Sequence, residues 1–195
     1  MILIVDHYDS FTYNLVELVE RLGRQTTVVR SDVLPVGDLV AMEPDAVLLS
    51  PGPGRPEDAG VFLDLLGALP AATPVLGVCL GHQALGLAAG TAVVRNDPVH
   101  GHASPVLHDG RGIFAGVPNP FAAARYHSLV LPASDLPAEL EVTARTEDGT
   151  VMALQHRDLP RFGLQFHPES ILTPEGPRIV RNFLALAPTR DGGAT

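Results

Sequence analysis

Three short runs of this chain carry apolar residues at consecutive positions rather than at alternate ones: MILIVD at the start, DAVLLS ending at Ser50 and PVLGV ending at Val78. A strand that is apolar on both sides has to be covered on both faces, which is the situation of a parallel strand inside an α/β sheet. Helical spacing fills the gaps between these runs. In SFTYNLVELVERLG, Phe11, Leu15, Leu18, Val19 and Leu22 recur at helical intervals, with Ser10 as a candidate N-cap and Gly23 as a candidate stop. TTVVR reads as a further strand, about Gly60 to Leu69 as a helix, and LGHQALGLAAG as another helix directly after Cys79. Repeated strand–helix units predict an α/β fold: an open, mostly parallel sheet with helices on both faces.

The texture changes after Gly90. TAVVR, SPVLH, ARYHSLVL, LEVTART, TVMALQH and FGLQF are short strand-like runs broken by Gly, Pro and Asp, and EDGT suits a hairpin turn. This half adds antiparallel strands. A last helix is expected from about Pro174 to Leu186, and APTRDGGAT reads as a frayed end. With 195 residues and no repeat or linker, one domain is expected over 1–188, with a tail at 189–195.

Composition narrows the function. The formal net charge of −9 disfavours a nucleic-acid partner. All 13 basic residues are arginine, so Schiff-base, pyridoxal-phosphate and Walker-type lysine chemistry are excluded. No apolar run approaches the ~18 residues that span a bilayer. The N-terminus lacks a basic region and meets Asp6 too early for a signal peptide, which points to the cytoplasm. A single cysteine allows no internal disulfide, in keeping with a reducing compartment.

That cysteine, Cys79, sits in GVCLGHQAL, between a strand and a helix. Ligand sites of open parallel sheets gather at the carboxyl ends of strands. Gly77 and Gly81 make the pattern Gly-x-Cys-x-Gly, a nucleophile elbow with sulfur in place of oxygen. A helix N-terminus favours a thiolate over a thiol, and the N–H of Leu80, one residue on, suits an oxyanion hole. The competing reading is a small packed hydrophobe. A nucleophilic thiolate needs a histidine, and the histidine needs an acid. FGLQFHPES offers His167 two residues from Glu169, which in extended chain point the same way. A surface His–Glu pair at a strand end is the plainer alternative. His82 suits local packing, and His127 could approach a site but has no acid beside it. The SPGPGRP turn lacks both a dinucleotide fingerprint and a Walker lysine; it offers rigid backbone for oxyanion or amide binding, or is simply a turn.

Taken together, DHYDSFTYNL, LLSPGPGRPEDAG, GVCLGHQAL, HGHASPVLHDGRGIF, PNPFAAARYHSLV and GLQFHPESILTPEGPRIVRNFL cover nearly the whole chain. In this order and spacing they resemble the class I, triad-type glutamine amidotransferases. The resemblance is strongest to the glutaminase subunits of anthranilate synthase and aminodeoxychorismate synthase. It implies that Cys79 is the nucleophile, His167 the base and acid, and Glu169 the carboxylate that orients it. It implies that Gly52, Pro53 and Gly54 line the glutamine site, with Leu80 and Gly52 or Gly54 as oxyanion donors. Gln83, Ser128 and Leu129 match positions that hold the amino-acid end of glutamine.

The same resemblance implies L-glutamine as substrate. As partner it implies a chorismate-binding synthase subunit, in a heterodimer or heterotetramer. No metal or cofactor is implied for this chain, with Mg2+ belonging to the synthase. Two positions depart from the family: His7 stands where asparagine is usual, and His102 where lysine is common. Neither belongs to the triad; both are expected toward the partner. Two other functions share these residues: a stand-alone cysteine hydrolase of γ-glutamyl substrates, and a regulatory subunit without catalysis.

Overall fold

The computed structural model describes residues 1–188; the tail expected at 189–195 lies outside the described residues. In chain order the elements are β1 (Ile2–Asp6), α1 (Thr12–Arg21), β2 (Thr26–Arg30), α2 (Val36–Ala41), β3 (Ala46–Leu49), α3 (Phe62–Ala68), β4 (Val75–Val78) and α4 (Leu80–Ala88). There follow β5 (Val94–Arg95), β6 (His102–His108), β7 (Phe121–Arg125), β8 (Leu129–Val130), β9 (Leu140–Thr146), β10 (Val151–His156), β11 (Arg161–Leu164) and α5 (Gly176–Leu184). Nine strands form one sheet in the order β2-β1-β3-β4-β11-β10-β9-β6-β7, and β5 pairs with β8 in a separate ribbon. The pairings from β2 to β11 are parallel. Those from β11 to β7 are antiparallel. The α/β expectation of parallel strands with an antiparallel extension therefore holds.

The apolar runs bury both faces because successive side chains alternate across the sheet. Ile2 and Ile4 of β1, with Leu48 and Leu76, meet Leu15 and Val19 of α1 and Ile179 and Phe183 of α5. Leu3 and Val5, with Val47 and Leu49, meet Leu39 of α2, Phe62 and Leu65 of α3, and Ala84 of α4. Among the described residues no helix is long and apolar enough to cross a membrane.

Several local expectations need correction. Ser10 does not cap α1: the cap position is Phe11, and the Phe11 N–H is satisfied by Asp9 Oδ1 at 2.7 Å. Gly23 does end the helix, at φ +84°, with Gly23 N–H to Glu20 O at 2.9 Å and Arg24 N–H to Val19 O at 3.3 Å, the two bonds of a Schellman closure. ARYHSLVL is not one strand: it divides into β7 and β8 at Tyr126–Ser128. TAVVR keeps only Val94–Arg95 as strand. The EDGT turn joins β9 to β10 with Gly149 at φ +86°. The last helix is shorter than expected, with Glu175 at its cap position.

The parallel order places the site. From β1 the chain goes outward to β2 and returns to β3 on the other side of β1, so the connections diverge there. The segments after β1, β3, β4 and β11 all emerge at carboxyl ends of neighbouring parallel strands, where such sheets leave a crevice.

Candidate active site

Cys79 fills the one residue between β4 and α4, at φ 50° and ψ −95°. Its N–H donates to Leu164 O at 2.7 Å, and its carbonyl accepts from Gln83 N–H at 3.1 Å. The backbone is thus anchored from both sides in a conformation that non-glycine residues rarely adopt. The flanking glycines are required by space. A Cβ on Gly77 would lie 2.3 Å from Gly81 O, and one on Gly81 would lie 2.5 Å from Leu49 O. The helix can start this close to β3 and β4 only without those methyls. Cys79 is 8% exposed; it packs with the core and also lines a cavity of about 220 Å³.

His167 and Glu169 meet, but from a turn rather than an extended strand. β11 stops at Leu164, and the His167 carbonyl accepts from Thr173 Oγ1 at 2.7 Å and Ser170 N–H at 3.3 Å. Nδ1 of His167 bonds Glu169 Oε1 at 2.6 Å, with the carboxylate side chain fully buried, so this is no surface pair. Nε2 has no hydrogen-bond partner. Burial pushes the imidazolium down, yet the neighbouring Cys79 sulfur and then Glu169 outweigh it and hold the pKa up at about 10. The Cys79 influence is chiefly hydrogen bonding, with a smaller charge effect, although the contact falls outside ordinary hydrogen-bond geometry. Nε2 is the nitrogen on the Cys79 side of the ring, since Nδ1 is taken by Glu169. The rings of Phe11 and Tyr126 stand edge-on to the imidazole at 5.7 and 5.0 Å.

The cavity before the sulfur is walled by Gly52, Pro53, Gly54, Leu80, Gln83, Ser128 and Leu129, with Tyr126 and His127. All seven residues expected at a glutamine pocket line this one space with Cys79. Gly52 lies against the strand-end segment before α1: a Cβ there would sit 2.7 Å from His7 O. Gly54 has room for a side chain but takes φ +81°. His7 is tied behind this turn. Its N–H donates to Ser50 Oγ at 2.9 Å, and its Nδ1 bonds Ser31 Oγ at 2.8 Å. His102 is exposed on β6, paired in register with Arg125 of β7.

Two other histidines are buried and held neutral. Burial pushes His82 down to about 3; it packs under β11, where a Cβ on Gly163 would touch its ring. Burial, then the charge of Arg125, pushes His127 down to about 4. Sequence reading left out two polar residues of the site. Gln165, fully buried, points Nε2 at Cys79 Sγ from 3.5 Å and accepts from Gln83 Nε2 at 3.3 Å. Arg125 reaches His127 from β7. Gln165 precedes the His-Pro-Glu run by two residues, so its place beside that run was the available signal.

A buried thiol at a helix start, an unpaired imidazole nitrogen and a carboxylate behind it can carry nucleophilic acyl transfer. Comparison with known proteins agrees. Residues 3–187 match the family described as glutamine amidotransferase class-I. Anthranilate synthase component 2 of Azospirillum brasilense is 51% identical over 186 residues, covering 94% of this chain and 95% of the relative. Aminodeoxychorismate synthase component 2 of Escherichia coli K12 is 46% identical over 185 residues, covering 94% of this chain and 99% of the relative. The solved structure of a GMP synthase subunit protein from Thermoplasma acidophilum is similar with a TM-score of 0.85 at 26% identity, over 95% of this chain and 92% of that one.

Proposed function

The chain belongs to the class I glutamine amidotransferase family, and on that premise we propose that it is the glutaminase component of a chorismate-using synthase, making anthranilate or 4-amino-4-deoxychorismate. The Cys79 thiolate attacks the side-chain amide carbon of L-glutamine; a C–S bond forms and the carbonyl electron pair moves onto oxygen. Backbone N–H groups of Leu80 and of Gly52 or Gly54 receive that oxyanion. His167 gives its Nε2 proton to the departing nitrogen as the C–N bond breaks, and ammonia leaves. Water then attacks the γ-glutamyl thioester, His167 takes its proton, and the thiolate is released with glutamate. Glu169 holds Nδ1, so that Nε2 is the nitrogen that works. Gln83, Ser128 and Leu129 bind the amino-acid end, and Pro53 keeps the glycine turn rigid.

The observation that carries this reading is the placement of the chain's one thiol, on a positive-φ turn, beside an unpartnered Nε2 whose ring is backed by a buried carboxylate. Ammonia is a useful nucleophile only before it is protonated in bulk water, so it must pass directly to a synthase subunit. We propose a heterodimer or heterotetramer with that synthase, in the cytoplasm, where the thiol stays reduced. Chemistry at Cys79 needs no cofactor; Mg2+ is assigned to the synthase.

The test is a steady-state glutaminase assay of the chain alone, with each candidate synthase component, and with chorismate added. The matching synthase should raise the rate; a differential affinity of ~1–3 kcal/mol for the active arrangement gives ~5–150-fold. The synthase that activates also names the product. A chain at full rate alone, unchanged by any synthase, would instead be a stand-alone hydrolase of γ-glutamyl substrates.

A further inference from the structure

Arg125 is a buried charge without an ion-pair partner. It ends β7 at 6% exposure, and among the described residues no carboxylate lies within ion-pair distance of it. Asp148 acts on it only through a longer-range charge interaction. A desolvated guanidinium is costly unless its donors are used. One of them is: Nε donates to His127 Nε2 at 3.1 Å. Another reaches Ser104 Oγ at 3.4 Å.

The bond to His127 has a consequence for the ring. Arginine Nε–H can donate but not accept, so His127 Nε2 must be the acceptor and Nδ1 must carry the ring proton. Nδ1–H then donates to Leu129 O at 3.2 Å. Gln83 Nε2 donates to the same oxygen at 3.2 Å. Both lone pairs of that carbonyl are thereby engaged. The segment is held from outside as well. Asn96 N–H donates to Ser128 O at 2.8 Å, Val99 N–H to His127 O at 3.0 Å and Gly101 N–H to Arg125 O at 2.9 Å. In the opposite tautomer, Nδ1 would turn a lone pair toward the lone pairs of Leu129 O and repel it. Burial and the Arg125 charge already keep a second proton off the ring.

We propose that Arg125 is a positioning residue for glutamine binding: by donating to Nε2 it selects the Nδ1–H tautomer of His127, which pins the Leu129 carbonyl and with it Gln83 and the Ser128–Leu129 wall of the cavity. This rests on the reading of that cavity as the glutamine site. Arg125 touches no reacting atom, and its effect is on how substrate is held.

The experiment combines a spectrum with kinetics. Long-range imidazole 1H–15N spectra of the wild-type chain should show His127 protonated at Nδ1, and Arg125→Met should lose that form. In the synthase complex, R125M should raise the KM for glutamine about tenfold, the scale of one buried hydrogen bond, with kcat within about twofold. Arg125→Lys, which keeps a donor, should recover part of the loss. His127→Asn can still donate to Leu129 O, so its KM should rise less than that of His127→Leu, and R125M should add nothing in the H127N background. If R125M does not fold, R125K and the two His127 variants carry the same comparison. A fall in kcat at unchanged KM overturns the proposal, as does an Nδ1–H His127 that persists without Arg125. A wild-type complex that hydrolyses no glutamine overturns the parent reading and this proposal with it. The spectrum, which needs no substrate, separates that failure from a wrong tautomer assignment.

Discussion

A serine at position 79 would keep the turn and lose the soft sulfur nucleophile. In the synthase complex, Cys79→Ser should abolish product formation from glutamine while added ammonium salt still supports it, measured as product by chromatography. Loss of both activities from an intact complex would remove Cys79 from its assigned role. Behind the thiol, His167 and Glu169 are not equivalent. His167→Ala removes the proton carrier, and general acid–base help is typically worth ~10²–10⁴-fold. Glu169→Gln keeps an acceptor for Nδ1–H and loses only the charge, so turnover should fall less than in H167A. It should also lower the His167 pKa from about 10, because the buried carboxylate is one of the two groups that hold it up. Imidazole titration by NMR reads that shift, and an unchanged pKa in E169Q would mean that the Cys79 sulfur alone sets it.

At the scale of elements, the β4–α4 junction is the most exacting contact. Gly81→Ala places a methyl 2.5 Å from Leu49 O, a backbone atom of the neighbouring strand that cannot turn away. Overpacking of this kind costs ~1–3 kcal/mol, or roughly 2–4 °C in Tm per kcal/mol for a chain of this size, so G81A should melt measurably lower. An unchanged Tm would show that α4 can slide on β3. This junction was legible beforehand, because Gly-x-Cys-x-Gly after an apolar run leaves few alternatives. The parallel half was legible for the same reason, its strands being apolar without interruption. α2 was not: VGDLVA is short, contains Gly37, and starts from Pro35 without a capping side chain. The break in ARYHSLVL was hidden too, since Tyr126–Ser128 is bent by bonds from the 96–101 segment rather than by any local turn residue. Arg125 and Gln165 lie inside two of the family-like runs, PNPFAAARYHSLV and GLQFHPES, but nothing in those runs marks them as site residues. A charge at a strand end reads as surface, and only the fold turns it inward.

At the scale of the whole molecule, three buried histidines set opposite flanks of the stability curve. In the folded state the rings of His82 and His127 stay neutral, taking no second proton until about pH 3 and 4, whereas the unfolded chain protonates histidine near 6.5. Below 6.5 the unfolded state therefore binds more protons, and stability falls as pH falls toward those values, by at most ~1.4 kcal/mol per pH unit for each ring. His167 works in the other direction. Its folded pKa is raised to about 10, so its contribution is complete below 6.5 and is lost as pH rises through about 10. Urea unfolding between pH 7 and pH 5 should show the midpoint dropping with acid, and His82→Leu should make that drop shallower whatever it does to the midpoint at pH 7. An equal slope in H82L would mean that carboxylates dominate the acid limb.

The positive φ of Cys79 has one more consequence, a trade between reactivity and durability. A φ of 50° on a residue with a side chain costs of order ~1–3 kcal/mol, and the fold carries that cost at its single thiol. Alanine or serine at 79 inherits the strain, because either keeps a Cβ. Glycine does not. Cys79→Gly should thus be inert toward glutamine yet unfold at a higher temperature than Cys79→Ala. The chain would gain heat resistance by giving up the one atom whose placement requires the strain.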